Sequence, residues 1–333
     1  MYFLKNKSIL ITGGTGSFGS RFLKYLLNIK KNKPKRVIVF SRDELKQFEL
    51  SKIFESKNYP SIRFFLGDIR DKQRLKMAFE NVDYVIHAAA LKQVPTAEYN
   101  PIEFIKTNVI GSQNIIEAAL EGKVKKVIAL STDKASSPIN LYGATKLCAD
   151  KLFLSANKLA GKKKTSFSVV RYGNVFGSRG SVIPFFLNLV KQKKKLIVTD
   201  PNMTRFNIDL DEAVKLVVNV IKNSIGGEIF VPKISSYRIM DIVKAIQNKN
   251  DIKIIGIRPG EKLHEELISK SEGYNTFDIG NYYIIAGDQK SVNFYKKRKY
   301  KKIKPGKNYN SFDNTDFLNV QKLQKLIKNY KKI

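Results

Sequence analysis

One cysteine, two histidines and no tryptophan stand among 333 residues, and each scarcity closes off a class of protein. Cys148 alone builds no disulfide framework. His87 and His264 with a single thiol are too few soft ligands for a transition-metal centre, so no metal site is expected. No run of about 18 apolar residues exists, as a membrane-spanning helix would need. A strand-like segment begins within a few residues of Met1, which leaves no room for a signal peptide. A reducing, cytoplasmic setting without a membrane partner is the expectation.

Acidic residues are also scarce, with 29 Asp+Glu against 61 Lys+Arg and a net charge of +32. Such an excess invites a nucleic-acid reading. The lysines are scattered through ordinary surface positions, however, and aromatic residues interleave with them only near the end, around Tyr295 and Tyr300. Lysine-rich codon usage accounts for the excess more simply, and no nucleic-acid partner is expected. The field would still welcome an acidic small molecule such as a sugar nucleotide.

Hydrophobic residues make up 43% of the chain, enough for one large or two modest domains. The apolar run at 8–11 leads into Thr12-Gly13-Gly14-Thr15-Gly16-Ser17-Phe18-Gly19 and then a helical pattern to Leu27. Strand, glycine turn and helix in that order form the context in which a G-x-G-x-x-G motif binds a dinucleotide. The glycines let backbone approach a pyrophosphate at the helix N-terminus. Thr15, Ser17 and Phe18 join Gly13, Gly16 and Gly19 as candidate cofactor contacts.

A second strand at 36–40 ends in Ser41-Arg42, with Asp43 one step later. A carboxylate at the strand end suits the ribose 2′-hydroxyl of NAD, whereas an arginine suits the 2′-phosphate of NADP, so NADP is expected. A third strand at 62–66 ends in Gly67-Asp68-Ile69, where the carboxylate can accept from the adenine. The fourth, at 82–86, ends in His87 and then Ala88, Ala89 and Ala90, small enough for a flat ring to lie on backbone. His87 is expected to be a strand-end residue satisfied by backbone. Asn108, in a helical stretch begun by Pro101, is placed to hold backbone or water near the site.

The stretch at 124–151 carries the chemistry. A strand at 127–130 delivers Thr132, Asp133 and Lys134 at its carboxyl end, and Tyr142 and Lys146 follow four apart on one helix face. Tyrosine, with a free pKa of about 10, serves as a base only beside a cation. Lys146 is expected to supply that charge. Asp133 and Lys134 add a second acid/base couple, more than an alcohol oxidation requires. A sixth strand at 166–170 leads to Asn174, after which Arg179, Arg205 and Arg258 in loops suggest a pyrophosphate clamp.

These elements predict an α/β fold with a Rossmann-like, doubly wound parallel sheet. The cofactor domain is assigned to 1–177, completed by part of 208–232. A smaller substrate-binding region follows at 178–290 and a basic tail at 291–333, with an amphipathic helix at 317–327.

TGGTGSFG, YGATK and RYGNVFG resemble the extended short-chain dehydrogenase/reductase superfamily. SRDELKQ, HAAALKQVP, LSTDKASSPINLYGATKLCADKLF, GSRGSVIPFF, MTRF and IRPGEKLHEEL resemble, more narrowly, the soluble inverting UDP-N-acetylglucosamine 4,6-dehydratases, as far as about Gln289. The resemblance implies a UDP-sugar substrate, a homo-oligomer and a tightly bound NADP regenerated each turnover. The implied product is UDP-2-acetamido-2,6-dideoxy-β-L-arabino-hex-4-ulose, on the route to pseudaminic acid. In the implied roles Tyr142 deprotonates the C4 hydroxyl, Lys146 holds the nicotinamide ribose of the cofactor, Lys134 takes the C5 proton, Asp133 protonates the leaving C6 hydroxyl and Thr132 bonds the substrate. Lys92, Asn174, Arg205, Arg258 and Glu261 are the substrate-binding candidates. A UDP-sugar 4-epimerase and a non-catalytic dinucleotide sensor are the alternatives.

Overall fold

A computed structural model describes residues 2–161, 164–246 and 251–330. Six strands, β1 (Ser8–Thr12), β2 (Arg36–Ser41), β3 (Ile62–Leu66), β4 (Tyr84–His87), β5 (Lys126–Thr132) and β6 (Ser166–Tyr172), pair in parallel in the order 3-2-1-4-5-6. Their near-continuous apolar runs follow from burial on both faces. Ile9, Ile11, Val37 and Val39 face one core with Phe22 and Val217, while Leu10, Ile38 and Phe40 face another with Ile115 and Phe153. The strand order reverses between β1 and β4, where such sheets open a ligand crevice.

A seventh parallel strand, Glu228–Pro232, lies beside β6. Tyr282–Ala286, Thr276–Asp278 and Lys301–Lys302 then extend the sheet in antiparallel fashion. Beyond residue 177 the chain returns to the main sheet at 228–232, 276–286 and 301–302. The basic segment is also built in. Lys301 and Lys302 form the exposed outermost strand, where lysines discourage pairing with another chain. The amphipathic helix expected at 317–327 runs over Val320–Tyr330 and buries Leu323 and Ile327, apolar positions one turn apart.

A third core holds Ile183, Phe186, Val198, Met203, Tyr237, Ile242 and Leu323. It supports a three-stranded sheet of Asn174–Val175, Thr204–Ile208 and Ser236–Arg238. Between this sheet and the carboxyl ends of β1, β4 and β5 lies a cavity of about 1010 Å³.

Candidate active site

Gly13 turns out of β1 with φ +66°, a conformation that favours glycine, and a Cβ there would meet the Ala89 nitrogen at 2.8 Å. A Cβ on Gly19 would meet the Gly13 oxygen at 2.4 Å. The helix Ser17–Leu27 is thus held against the turn, and its N-cap, Gly16, has no side chain to occupy the first-turn N–H groups. Gly13, Gly16, Ser17, Phe18, Gly19, Ala88 and Ala90 line the cavity. Thr15 is buried beneath them, and Ala89 packs on the second core.

Ser41, Arg42, Asp68 and Ile69 do not line the cavity but cluster around the ends of β2 and β3, beside the turn through Gly13 N to Phe40 O at 2.9 Å. The half-exposed Arg42 lies 3.7 Å from Asp68. Asp43 is spent as the N-cap of Glu44–Ile53, accepting from the Lys46 nitrogen at 3.0 Å and pairing with its ammonium. Asp68 already takes two bonds from the Arg70 guanidinium, at 2.8 and 3.0 Å, so an adenine would compete for it. Ile69 is buried against Gly111.

Asn108 sits in a π-helical turn, Ile105–Ile110, and is buried. Its amide accepts from Leu91 N at 2.9 Å and donates to Leu91 O at 2.9 Å and Thr145 Oγ1 at 3.0 Å. It therefore holds the strand-end loop against the Tyr142 helix. His87 is satisfied by side chains where backbone was expected: its Nδ1 bonds Thr12 Oγ1 at 2.8 Å and its Nε2 lies 3.4 Å from Ser112 Oγ.

The strand β5 ends at Thr132 and passes into a 3₁₀ turn, Asp133–Ala135. Helix Leu141–Leu159 begins against this turn so closely that a Cβ on Gly143 would come within 2.2 Å of the Lys134 oxygen. Asn140 caps the helix through Gly143 N at 2.8 Å and donates to Gly260 O at 2.8 Å, which ties the Tyr142 helix to the RPG turn. Thr132, Lys134, Tyr142 and Lys146 consequently share one cavity wall, with Asp133 buried behind them.

The charges there differ from the expected pattern. Burial pushes the Tyr142 phenol up to about 12, while the nearby Lys134 and Thr132 pull it back. In the free protein Lys134 is the cation that lowers it. Lys146, expected in that role, donates to Leu130 O at 2.8 Å, and burial lowers its pKa against the pull of Asp150. Burial raises the Asp133 pKa against the pull of Lys134 and Thr132. Lys134 lies 3.1 Å from both Asp133 Oδ1 and Glu265 Oε1, and these carboxylates outweigh burial and raise its pKa. The expected C5 base is thus an ammonium in the free protein.

Lys92, Asn174, Arg179, Arg205, Arg258 and Glu261 all line the same cavity. The three arginines are not equivalent. Arg205 is buried and donates to Thr204 O at 2.8 Å and Leu263 O at 2.9 Å, whereas the exposed Arg258 pairs with Glu261 at 3.0 Å. Lys92 donates to Arg179 O at 3.0 Å, and burial with repulsion from Lys134 lowers its pKa. Glu265, Asp150 and Tyr237 were missed from sequence. The two carboxylates of the HEE run and the acid four residues past Lys146 offered a signal; Tyr237 offered none.

A glycine turn at the switch point of a parallel sheet, facing a Tyr/Lys helix across one cavity, defines a short-chain dehydrogenase/reductase fold and site. The chain belongs to the polysaccharide biosynthesis protein family, whose model matches residues 9–287. It is 52% identical to the inverting UDP-N-acetylglucosamine 4,6-dehydratase of Campylobacter jejuni subsp. jejuni serotype O:23/36 (strain 81-176), over 96% of this chain and 97% of that one. It is 44% identical to the UDP-glucose 4-epimerase of Rickettsia bellii (strain OSU 85-389), over 97% and 96% of the two chains. The X-ray structure of Pen from Bacillus thuringiensis superposes with a TM-score of 0.89 at 41% identity, covering 99% of this chain and all of that one.

Proposed function

We propose that the protein is a UDP-N-acetylglucosamine 4,6-dehydratase that inverts C5 and carries NADP as a recycled cofactor. The observation that carries this reading is the cluster of Asp133, Lys134 and Glu265 beside Tyr142, an acid/base apparatus beyond what C4 oxidation needs. The 52% identity to the Campylobacter jejuni dehydratase supports it.

The glycine cradle at Gly13 and Gly19, which any Cβ would fill, fits a dinucleotide. Arg42 is the available cation at the end of β2 and Asp43 is committed to a helix cap, an arrangement that favours the 2′-phosphate of NADP over the NAD ribose. When bound, the nicotinamide supplies the hydride acceptor for C4 and the hydride returned at C6. Tyr142 removes the C4 hydroxyl proton, with Thr132 and Lys134 favouring its phenolate. Asp133, whose pKa burial raises, serves as the acid for the departing C6 oxygen. Lys134, once discharged, takes the C5 proton. Arg258 and Lys92 offer charge to the diphosphate at the cavity wall.

The epimerase reading draws on the 44% identity to the Rickettsia bellii protein. It uses Tyr142 and Thr132 and leaves the Asp133–Lys134–Glu265 cluster without a reaction. Mass spectrometry of UDP-N-acetylglucosamine incubated with the protein separates the two. Loss of one water is expected from the dehydratase; an unchanged mass with a new C4 epimer contradicts it.

A further inference from the structure

Glu265 reaches the site from a segment 131 residues beyond Lys134. Its backbone is fixed on both sides by Ser311, whose Oγ accepts from Glu265 N at 2.9 Å and whose N donates to Glu265 O at 2.8 Å. The side chain is only 3% exposed, and Arg205 Nε stands 3.6 Å from Oε1. Its other oxygen, Oε2, is buried without a hydrogen-bond partner, though Glu265 borders the cavity. Carboxylates that serve only to brace this fold are filled differently. Glu228 takes Ser168 and Ile225 N on its two oxygens and Tyr295 besides, and Glu272 takes Arg171 and Ser269. A buried carboxylate costs free energy unless its oxygens are satisfied, so a half-filled one facing a reaction site calls for a use.

That use follows from the Lys134 ammonium, and it rests on the dehydratase reading above. For Lys134 to act as a base its proton must leave, and Nζ has two acceptors, Asp133 Oδ1 and Glu265 Oε1. Asp133 is reserved as the acid for the C6 oxygen and must already hold its own proton. We propose that Glu265 is a positioning residue acting through Lys134: its Oε1 receives the Nζ proton and frees the amine that attacks the C5 hydrogen. In the exchange an N–H bond breaks and an O–H bond forms, converting ammonium and carboxylate into amine and carboxylic acid. The amine then takes the C5 proton, the C–H electron pair moves toward the C4 ketone, and the C6–O bond breaks as Asp133 protonates the oxygen. Lys134 is again an ammonium, Asp133 a carboxylate and Glu265 an acid. Arg205, which helps hold Glu265 ionised in the free protein, also borders the cavity, so an anionic diphosphate there weakens its field on Glu265 and eases the transfer.

The test compares Glu265→Gln and Glu265→Asp with the unmutated holoenzyme on UDP-N-acetylglucosamine in deuterated water. Oxidation at C4 is read as the near-ultraviolet absorbance of reduced nicotinamide, and C5 chemistry as deuterium at C5. In Glu265→Gln, C5 deuteration is expected to fall on the order of a hundredfold while C4 oxidation changes less than about tenfold, with Glu265→Asp recovering part of the loss. Deuteration at the unmutated rate in Glu265→Gln overturns the inference. So does an equal fall in both rates that Glu265→Asp fails to relieve, which would make Glu265 a brace of the fold. If the unmutated enzyme yields no 6-deoxy product, the dehydratase reading itself fails, an outcome distinct from either.

Discussion

Arg171 donates to Asp150 Oδ2 at 3.1 Å with both side chains out of contact with solvent. The same oxygen accepts from Ser131 at 2.8 Å, one residue before Thr132, and Asp150 is the anion that opposes the loss of charge on Lys146. Arg171 in turn grips Glu272 with bonds of 2.9 and 3.0 Å. One buried chain of charges thus joins β5, the Tyr142 helix, β6 and the segment that carries Glu265. Asp150→Asn leaves Arg171 short of a counter-charge, and breaking such a buried pair costs about 3–5 kcal/mol. Urea denaturation checks this; a cost equal to that of an ordinary surface substitution would show the pair to be idle.

Tyr142→Phe keeps the ring and its packing while removing the hydroxyl proposed to take the C4 proton. Turnover is expected to drop on the order of a thousandfold, with UDP affinity unchanged by calorimetry. Near-normal turnover would remove Tyr142 from the chemistry.

Arg42→Ala tests the choice of dinucleotide. Loss of a charge-assisted contact to a 2′-phosphate is expected to weaken NADP on the order of tenfold and to leave NAD nearly unchanged. Fluorescence titration with each dinucleotide distinguishes this from an equal loss, which would make Arg42 merely the partner of Asp68.

His87, 1% exposed, is held neutral, since burial and the nearby Lys146 push its pKa down to about 3. The unfolded chain binds a proton there below about pH 6.5 and the folded chain does not. Stability from this group is therefore complete above that pH and declines as the pH falls toward about 3. Between about pH 7 and pH 5 the unfolding free energy is expected to lose on the order of 2 kcal/mol from His87. His87→Gln should flatten that part of the slope in urea titrations at the two pH values; an unchanged slope would assign the decline elsewhere.

The parallel sheet was legible because strands buried on both faces carry unbroken apolar runs, as at Ile9 to Ile11 and Val37 to Phe40. The glycine turn was legible because only glycine tolerates the approach of Gly13 to Ala89. The antiparallel extension was not, since Thr276–Asp278 and Lys301–Lys302 are too short to show a period. Within the site, Thr132, Asp133, Lys134, Tyr142 and Lys146 come from two adjacent elements and could be grouped by spacing. Which lysine acts on Tyr142 depends on where the long side chains turn: Lys146 toward the Leu130 carbonyl, Lys134 toward Asp133 and Glu265. The contribution of Glu265 is a contact across 131 residues that no local pattern encodes.

Proton NMR of the purified protein with UDP-N-acetylglucosamine in deuterated water, without added cofactor, tests the central claim most directly. A C6 methyl signal, deuterium at C5 and the couplings of an inverted ring are predicted, from enzyme that retains its own dinucleotide. Conversion to UDP-N-acetylgalactosamine, or an unchanged substrate even after NADP is supplied, would contradict it.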